Sequence, residues 1–367
     1  FRNLDALNRR LDIRHSFSPP QSKSTMIIIP SIAPDCKKKF EIITNLTAGK
    51  RHRMGRISLK SSFSRRSSRN MDERRTDLAL EARELSGDTP GVEEETERCG
   101  KAVVTRVRVR TQQGAEKIGK PIGTYITIEQ KDLCSKEAQA DGSLSRCLAE
   151  QISSLLHLEK GDCVLVAGLG NRSLTPDSLG PRAAREVLVS RHIFCQLPQV
   201  MDEPVRPVCV LTAGVTGETG LETGEVIRAV VRSVHPACVV VIDALAARST
   251  ERILSTVQIT DAGVIPGSGV GNHRIGLTQE TLGVPVIAIG IPMVVHAATI
   301  LRDALEKLMG TPLRTDALLR GMECSNLVVT PVMIDEAVQN AAALLAEGVD
   351  LALHPQLSRE ELRLMRI

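Results

Sequence analysis

The sequence predicts an α/β protein with a mainly parallel, twisted sheet flanked by helices, and a smaller α+β portion near the N-terminus. Four apolar runs contain no alternating polar residues, which is typical of strands buried on both faces of a parallel sheet. Helical patterns separate the runs, and such alternation favours strand–helix–strand units. The predicted strands are 163–170, 207–215, 238–245 and 285–291, and the predicted helices are 181–194, 224–235 and 294–309.

The composition indicates the residue types that form the core and the cellular compartment of the protein. Aromatic residues make up only 2% of the 367 residues, so the core must be built from Val, Ile, Leu and Ala. The nine cysteines are scattered without C-x-x-C spacing, which favours a reducing cytoplasm over disulfides or a zinc site. No apolar run approaches the ~18 residues of a membrane helix, so we expect no membrane association.

Residues 1–70 differ in composition from the rest of the chain. They hold 16 Lys and Arg against 4 Asp and Glu, whereas the remaining residues hold 31 against 39. A targeting peptide or a nucleic-acid-binding arm has this composition. Because "MDERRTDLALEARE" from Met71 would be a natural start, we instead expect an upstream extension that is disordered or not native protein. No direct binding to nucleic acid is expected.

Ordered patterns begin at Met71. Helix formers occupy 72–86, and apolar and polar side chains alternate over 102–111 and 123–129, which predicts half-exposed strands. We therefore divide the chain into a pro-segment with a small α+β portion at 71–143 and an α/β catalytic core with C-terminal helices at 144–367. An amphipathic helix at 144–159 opens this core.

Two aspartates follow predicted strands where ligands usually bind. In open α/β sheets, ligands bind beyond the carboxyl ends of the strands. Asp177 lies in the loop after the first core strand, and Asp243 ends the third. A single aspartate at such a position usually caps a helix or bonds to a loop. Their joint placement at one edge makes the two a candidate catalytic pair.

Other site classes lack their motifs. Gly168 and Gly170 would need a third glycine at position 173 for a dinucleotide-binding loop, and that residue is Ser173. The chain has no G-x-x-x-x-G-K-[ST] loop, no G-x-S-x-G elbow and no H-E-x-x-H helix. A non-catalytic nucleotide-binding α/β protein stays an alternative, and no cofactor is expected.

Long stretches of the chain also carry a family resemblance. They include "RTDLALEARE" (75–84), "GLGNRSLTPDSLGP" (168–181), "VIDALAARSTERI" (241–253) and "ETLGVPVIAIGIP" (280–292). The chain resembles the germination proteases of spore-forming bacteria, atypical aspartic endopeptidases that degrade small acid-soluble spore proteins. The resemblance implies catalytic roles for Asp177 and Asp243, a self-processing zymogen cleaved near "MDERRTDLALE", a homotetramer and a place in the spore core.

A more distant resemblance connects the core with the hydrogenase-maturation endopeptidases, which use acidic residues and a histidine around a metal. His273 and His296 stand where the germination proteases usually have Lys and Asp, and Met293 replaces a usual Thr. A metal-assisted endopeptidase using Asp177 and Asp243 with His273 or His296 is therefore an alternative. The segment at about 309–322 is shorter than its family equivalent.

The expected mechanism uses the aspartate pair. Two adjacent carboxyl groups share one proton, because both cannot ionise cheaply. The ionised group takes a proton from the attacking water, and the protonated group donates to the substrate. Arg248 is expected to orient an acidic substrate side chain, or else to form a surface salt bridge. Loop residues are expected to bind the substrate or the oxyanion: Gly170, Asn171, Gly269 and Asn272.

Overall fold

The computed structural model describes residues 26–30, 40–44, 76–196, 205–265, 275–310 and 327–366. The chain forms two compact units, 1–65 and 66–367. In the first unit, β1 (Met26–Pro30) pairs antiparallel with β2 (Phe40–Thr44), with Met26 opposite Thr44. The other residues up to position 75 lie outside the described ranges, so the expected disorder of residues 1–70 stays a prediction.

The second unit is built around one sheet of nine strands in the order β3-β4-β5-β9-β10-β8-β6-β7, with β11 pairing with β10. These strands are β3 (Val92–Cys99), β4 (Ala102–Val109), β5 (Gly123–Glu129), β6 (Val164–Gly168), β7 (Val208–Thr212), β8 (Cys238–Ala247), β9 (Thr256–Thr260), β10 (Val286–His296) and β11 (Val328–Val329).

Helices cover both faces of this sheet. They are α1 (Ala79–Ser86), α2 (Gln112–Ile118), α3 (Lys136–Gln139), α4 (Ser143–Leu155), α5 (Leu179–Glu186), α6 (Arg191–Gln196), α7 (Thr216–Thr219), α8 (Thr223–Val234), α9 (Gln279–Leu282), α10 (Ala297–Met309), α11 (Ile334–Leu353) and α12 (Arg359–Met365). Short 3-10 turns lie at Thr175–Asp177 and Thr250–Arg252. None of the described helices is both long and apolar enough to span a bilayer.

The four strands predicted from apolar runs form the parallel part of the sheet. β10 pairs with β8, β8 with β6 and β6 with β7, all parallel. Alternate side chains of β8 enter two different cores: Val240 and Ile242 pack with α4, α5 and α11, whereas Val239 and Val241 pack with α8 and α9. This burial on both faces explains the unbroken apolar runs. The predicted α/β fold class is confirmed.

The smaller N-terminal portion extends the same sheet. β3, β4 and β5 form an antiparallel meander that reaches the parallel strands through β9, which is antiparallel to both β5 and β10. The sequence pattern did not predict β9. All its residues are buried although three of the five are Thr or Gln, so its composition carries no clear hydrophobic signal.

Two predicted helices have different bounds. The helix expected at 72–86 begins only at Ala79, because Leu78 is extended and Asp77 bonds to Ala246 of β8. The helix expected at 181–194 is two helices, α5 and α6. It breaks at Val187, whose backbone is extended, and the next N–H, that of Leu188, donates to the Asp350 carboxylate rather than to the helix.

Candidate active site

Asp243 is the sixth of the ten residues of β8, so the prediction that this strand ends at Asp243 is wrong. Asp243 is nevertheless the first residue beyond the part of β8 that pairs with β6. It is opposite Gly290 of β10 and is 8% exposed, so the strand holds a nearly buried carboxylate. Its Oδ1 accepts the N–H of Ala244 at 2.9 Å. Backbone pairing on β10 and this bond fix the carboxylate relative to the sheet.

Asp177 ends the 3-10 turn after β6. Its Oδ2 accepts the backbone N–H of Asn171 at 2.7 Å. Gly170 has φ of 112°, and a Cβ at this position would overlap the carbonyl oxygen of Asp177. Glycine is required here, because the loop passes directly over the turn that carries the aspartate.

Close backbone approaches bring the two segments to one edge of the sheet. Leu169, just after β6, donates its N–H to the carbonyl oxygen of Ile242, the neighbour of Asp243, at 2.8 Å. A Cβ on Gly180 would overlap the carbonyl oxygens of both Leu169 and Ile242, so α5 lies against both strand ends. The turn that ends at Asp177 also packs against β8 and β10.

A buried acidic segment at 76–81 lies along the end of β8, and the sequence pattern did not single it out. Asp77 donates its N–H to the carbonyl oxygen of Ala246 at 2.9 Å and accepts the Ala246 N–H on Oδ2 at 2.8 Å. Glu81, 2% exposed, accepts the N–H groups of Arg248 and Ser249 at 2.7 and 2.8 Å. These carboxylates accept backbone N–H groups that a neighbouring strand would otherwise accept.

Lys120 completes this segment. Its Nζ donates to the carbonyl oxygens of Thr76 and Asp77 at 3.0 and 2.9 Å. Burial lowers the pKa of Lys120, and the charges of Asp77 and Glu81 oppose that effect. We call residues 76–81 with Lys120 the N-terminal anchor. Its only sequence signal was the motif "RTDLALEARE", which the resemblance already contained.

Apart from His296, two of the remaining predicted site residues lie within the described residues and three lie outside them. Arg248 donates to Oδ1 of Asp303 at 2.8 Å, which is the salt bridge expected as the alternative to substrate binding. The Asn171 N–H bonds to Asp177, so its predicted oxyanion role would require that bond to change. Gly269, Asn272 and His273 lie outside the described residues.

His296 ends β10 at the same edge and is 3% exposed. Within the described ranges, no group of three or more His, Cys, Asp and Glu side chains is arranged to hold a metal ion. Because His273 is not among these residues, the metal-assisted alternative stays open to experiment.

The arrangement provides two carboxylates, each held by a backbone N–H, beside a narrow sheet edge. Such groups can accept a proton from water and return it to a leaving amine. The backbone contacts of Asp177 and Asp243 hold both carboxylates in fixed positions, as a catalytic pair would require.

Comparisons with known proteins agree on one family. A sequence profile described as germination protease matches residues 68–315. The germination protease of Caldanaerobacter subterraneus subsp. tengcongensis is 41% identical over 312 residues, which cover 78% of this chain and 96% of that protein. The germination proteases of Clostridium tetani and Bacillus subtilis are 37% and 34% identical, over 98% and 95% of their lengths and 78% of this chain. The chain belongs to the germination protease family and is a peptidase.

Proposed function

We propose that this peptidase is an aspartic-type endopeptidase that starts the degradation of small acid-soluble spore proteins during germination. Asp177 and Asp243 act as a pair that activates water. The observation that carries the proposal is the pair of backbone contacts at the edge: Leu169 bonds to Ile242, and Gly170 lies over Asp177.

In this mechanism one carboxylate removes a proton from water as the oxygen attacks the peptide carbonyl. The other carboxyl group donates a proton to the carbonyl oxygen, and the departing amine receives one when the C–N bond breaks. The Asp243 side chain is nearly buried, which limits the water available to compete with substrate.

The test replaces each aspartate with its amide. Asp177→Asn and Asp243→Asn should each lower the rate of cleavage of a small acid-soluble spore protein by at least about a thousandfold, because either change removes a proton-transfer group. Both variants should keep the wild-type Tm. Glu222→Gln is the matched control, since Glu222 precedes α8 at the same edge and its side chain accepts a hydrogen bond from the Thr216 hydroxyl, which Gln can also accept. Full activity of either Asn variant would refute the pair.

A chelator distinguishes the aspartic mechanism from the second candidate, a metal-assisted mechanism. The second candidate is a metal-assisted reaction using Asp177 and Asp243 with His273, which lies outside the described residues. Among the residues that the structure describes, His296 forms no metal-holding group with the two aspartates. For the aspartic mechanism, activity should survive dialysis against EDTA. Loss of activity with EDTA and its return with one divalent metal would instead support the metal-assisted mechanism.

We also propose that the protein is made as a zymogen that removes its own N-terminal segment near "MDERRTDLALE". Cleavage upstream of Thr76 would leave the N-terminal anchor bound to β8. Mass spectrometry should find a shortened wild-type chain and an unprocessed Asp243→Asn chain. An active protein that keeps residues 1–70 would contradict this step.

The active form is proposed to be a homotetramer located in the cytoplasm of the spore core. Sedimentation equilibrium should give four times the mass of the processed chain. A monomer or dimer with full activity would refute the tetramer, and fractionation of spores tests the location.

A further inference from the structure

Along the edge of β8 that faces β6, different segments of the chain form the backbone hydrogen bonds. The carbonyl oxygen of Ile242 accepts the N–H of Leu169, and that of Ala246 accepts the N–H of Asp77. Alternate residues of a strand direct their backbone N–H and C=O groups to the same side. Ala244, between Ile242 and Ala246, therefore faces this edge too.

Ala244 is the one position on this edge that no neighbouring segment covers, within the described ranges. Its N–H donates to Asp243, and none of the described groups donates to its carbonyl oxygen. Ala244 is also the one half-buried residue of β8, whose nine other residues are buried. In the part of the chain that the structure describes, the strand edge therefore has a gap one residue wide, directly after Asp243.

We propose that an extended segment of the peptide substrate enters this gap and donates one main-chain N–H to the carbonyl oxygen of Ala244. Peptides commonly bind to open strand edges in this way, because main-chain bonds do not depend on side-chain identity. The inference rests on the proposed catalytic role of Asp243, since the bound residue would lie beside that carboxylate.

The size of the gap limits how the substrate lies. Ile242 and Ala246 are four residues apart, or roughly 13 Å at the rise of a strand. Leu169 and Asp77 occupy the two ends of this interval. A substrate can pair with one residue of β8 and must then leave the sheet on both sides. Only a locally unfolded chain can do this, so a folded protein would be a poor substrate.

The first experiment scans backbone N-methylation through a synthetic peptide that spans a site cleaved by the wild-type protein. N-methylation removes one N–H and leaves every side chain unchanged. At one position within two residues of the cleaved bond, it should lower kcat/KM about tenfold, mostly through KM, as expected for one lost hydrogen bond plus the added methyl. The positions on either side serve as controls and should change less than about threefold.

The second experiment observes Ala244 directly. The Asp177→Asn protein, labelled with carbonyl ¹³C alanine, is titrated with the unmodified peptide. The carbonyl resonance of Ala244 should move with saturation, and that of Ala237, outside β8, should not. The peptide carrying the damaging N-methyl group should not produce this shift.

The outcomes separate the two proposals. A flat N-methyl scan, or an unmoved Ala244 resonance in a saturated complex, would overturn the gap as a substrate site. If Asp177→Asn cleaves the peptide normally, the aspartate pair fails, and the N-methyl scan of the wild-type protein still decides the gap.

Discussion

Arg366 donates two hydrogen bonds to Oδ2 of Asp350, from Nε at 2.8 Å and from Nη2 at 2.6 Å. Asp350 is completely buried in α11 and also accepts the N–H of Leu188. This ion pair joins the end of the chain to the helix that covers one face of the sheet. It also receives the N–H at the break between α5 and α6.

Removing the Arg366 side chain should therefore destabilise the folded protein. Arg366→Met should lower the free energy of unfolding by about 3 kcal/mol, because it leaves a buried carboxylate without its cation. Denaturation in urea measures this change. Arg363→Met is the control: Arg363 is 54% exposed and bonds to Glu347, which keeps Arg359 as a second partner, so the loss should stay below about 1 kcal/mol. Equal losses in the two variants would contradict this interpretation.

Asp350 should make the protein less stable as pH rises through the weakly acidic range. Burial raises the pKa of Asp350 to about 6, and Arg366 opposes that effect. Between pH 4 and 6 the folded state then binds more protons than the unfolded state, so stability falls with increasing pH, by up to about 3 kcal/mol. Asp350→Asn should remove this fall. Parallel stability–pH curves for wild type and Asp350→Asn would show that Asp350 does not titrate there.

His354 should have the opposite effect. Burial, together with the charge of Arg206, lowers the pKa of His354 to about 4. Between pH 6.5 and 4 the unfolded state takes up the proton and the folded state does not, so acidification costs up to about 3 kcal/mol. His354→Asn can keep an acceptor for the Arg206 N–H, which now bonds to Nδ1 at 3.1 Å. Between pH 6.5 and 4, this variant should therefore lose less stability on acidification than the wild type, as measured by the difference between their thermal melts at each pH.

Cys163 should be unusually reactive at neutral pH. A hydrogen bond from the Cys209 thiol, together with the charge of Arg191, lowers the pKa of Cys163 to about 7. Burial raises the pKa of Cys134 to about 12 and that of Cys238 to about 11. Timed alkylation with iodoacetamide, followed by peptide mass spectrometry, should modify Cys163 well before Cys134 and Cys238. Cys209→Ala should slow the alkylation of Cys163. An unchanged alkylation rate would rule out the hydrogen bond between the two thiols.

Gly170→Ala should impair activity more than stability. The new methyl group would overlap the carbonyl oxygen of Asp177 and push the 3-10 turn away from β8. Gly161→Ala is the matched control, because Gly161 also has a positive φ, 90°, but a Cβ there meets nothing within 4 Å. Gly161→Ala should lose roughly 1 kcal/mol from backbone strain. Gly170→Ala should lose more, because its Cβ also meets a backbone oxygen. Only Gly170→Ala should lower kcat, by at least about tenfold, and equal kcat values would contradict the role given to Gly170.

Local sequence patterns were sufficient to predict the parallel strands and to select the candidate aspartates. The apolar runs that became β6, β8 and β10 are continuous because both faces of each strand are covered, and this property is visible in every residue of the run. Asp243 could be identified because a charged residue interrupts such a run. Asp177 could be identified because it follows another run closely.

Tertiary structure alone decided what covers the edge of β8. Asp77 and Ala246 are 169 positions apart, and their bonds depend on the folded path of the chain. The same holds for Lys120 and Gln258, which bond to the backbone of Asp77.

The sequence by itself determined the fold class and proposed Asp177 and Asp243 as candidates, since an apolar run and the acidic residue that interrupts or follows it are local properties. The break between α5 and α6, β9, the N-terminal anchor and the gap at Ala244 were decided only in the folded molecule. Each of them results from backbone hydrogen bonds between distant segments, and no run of neighbouring residues encodes such partners.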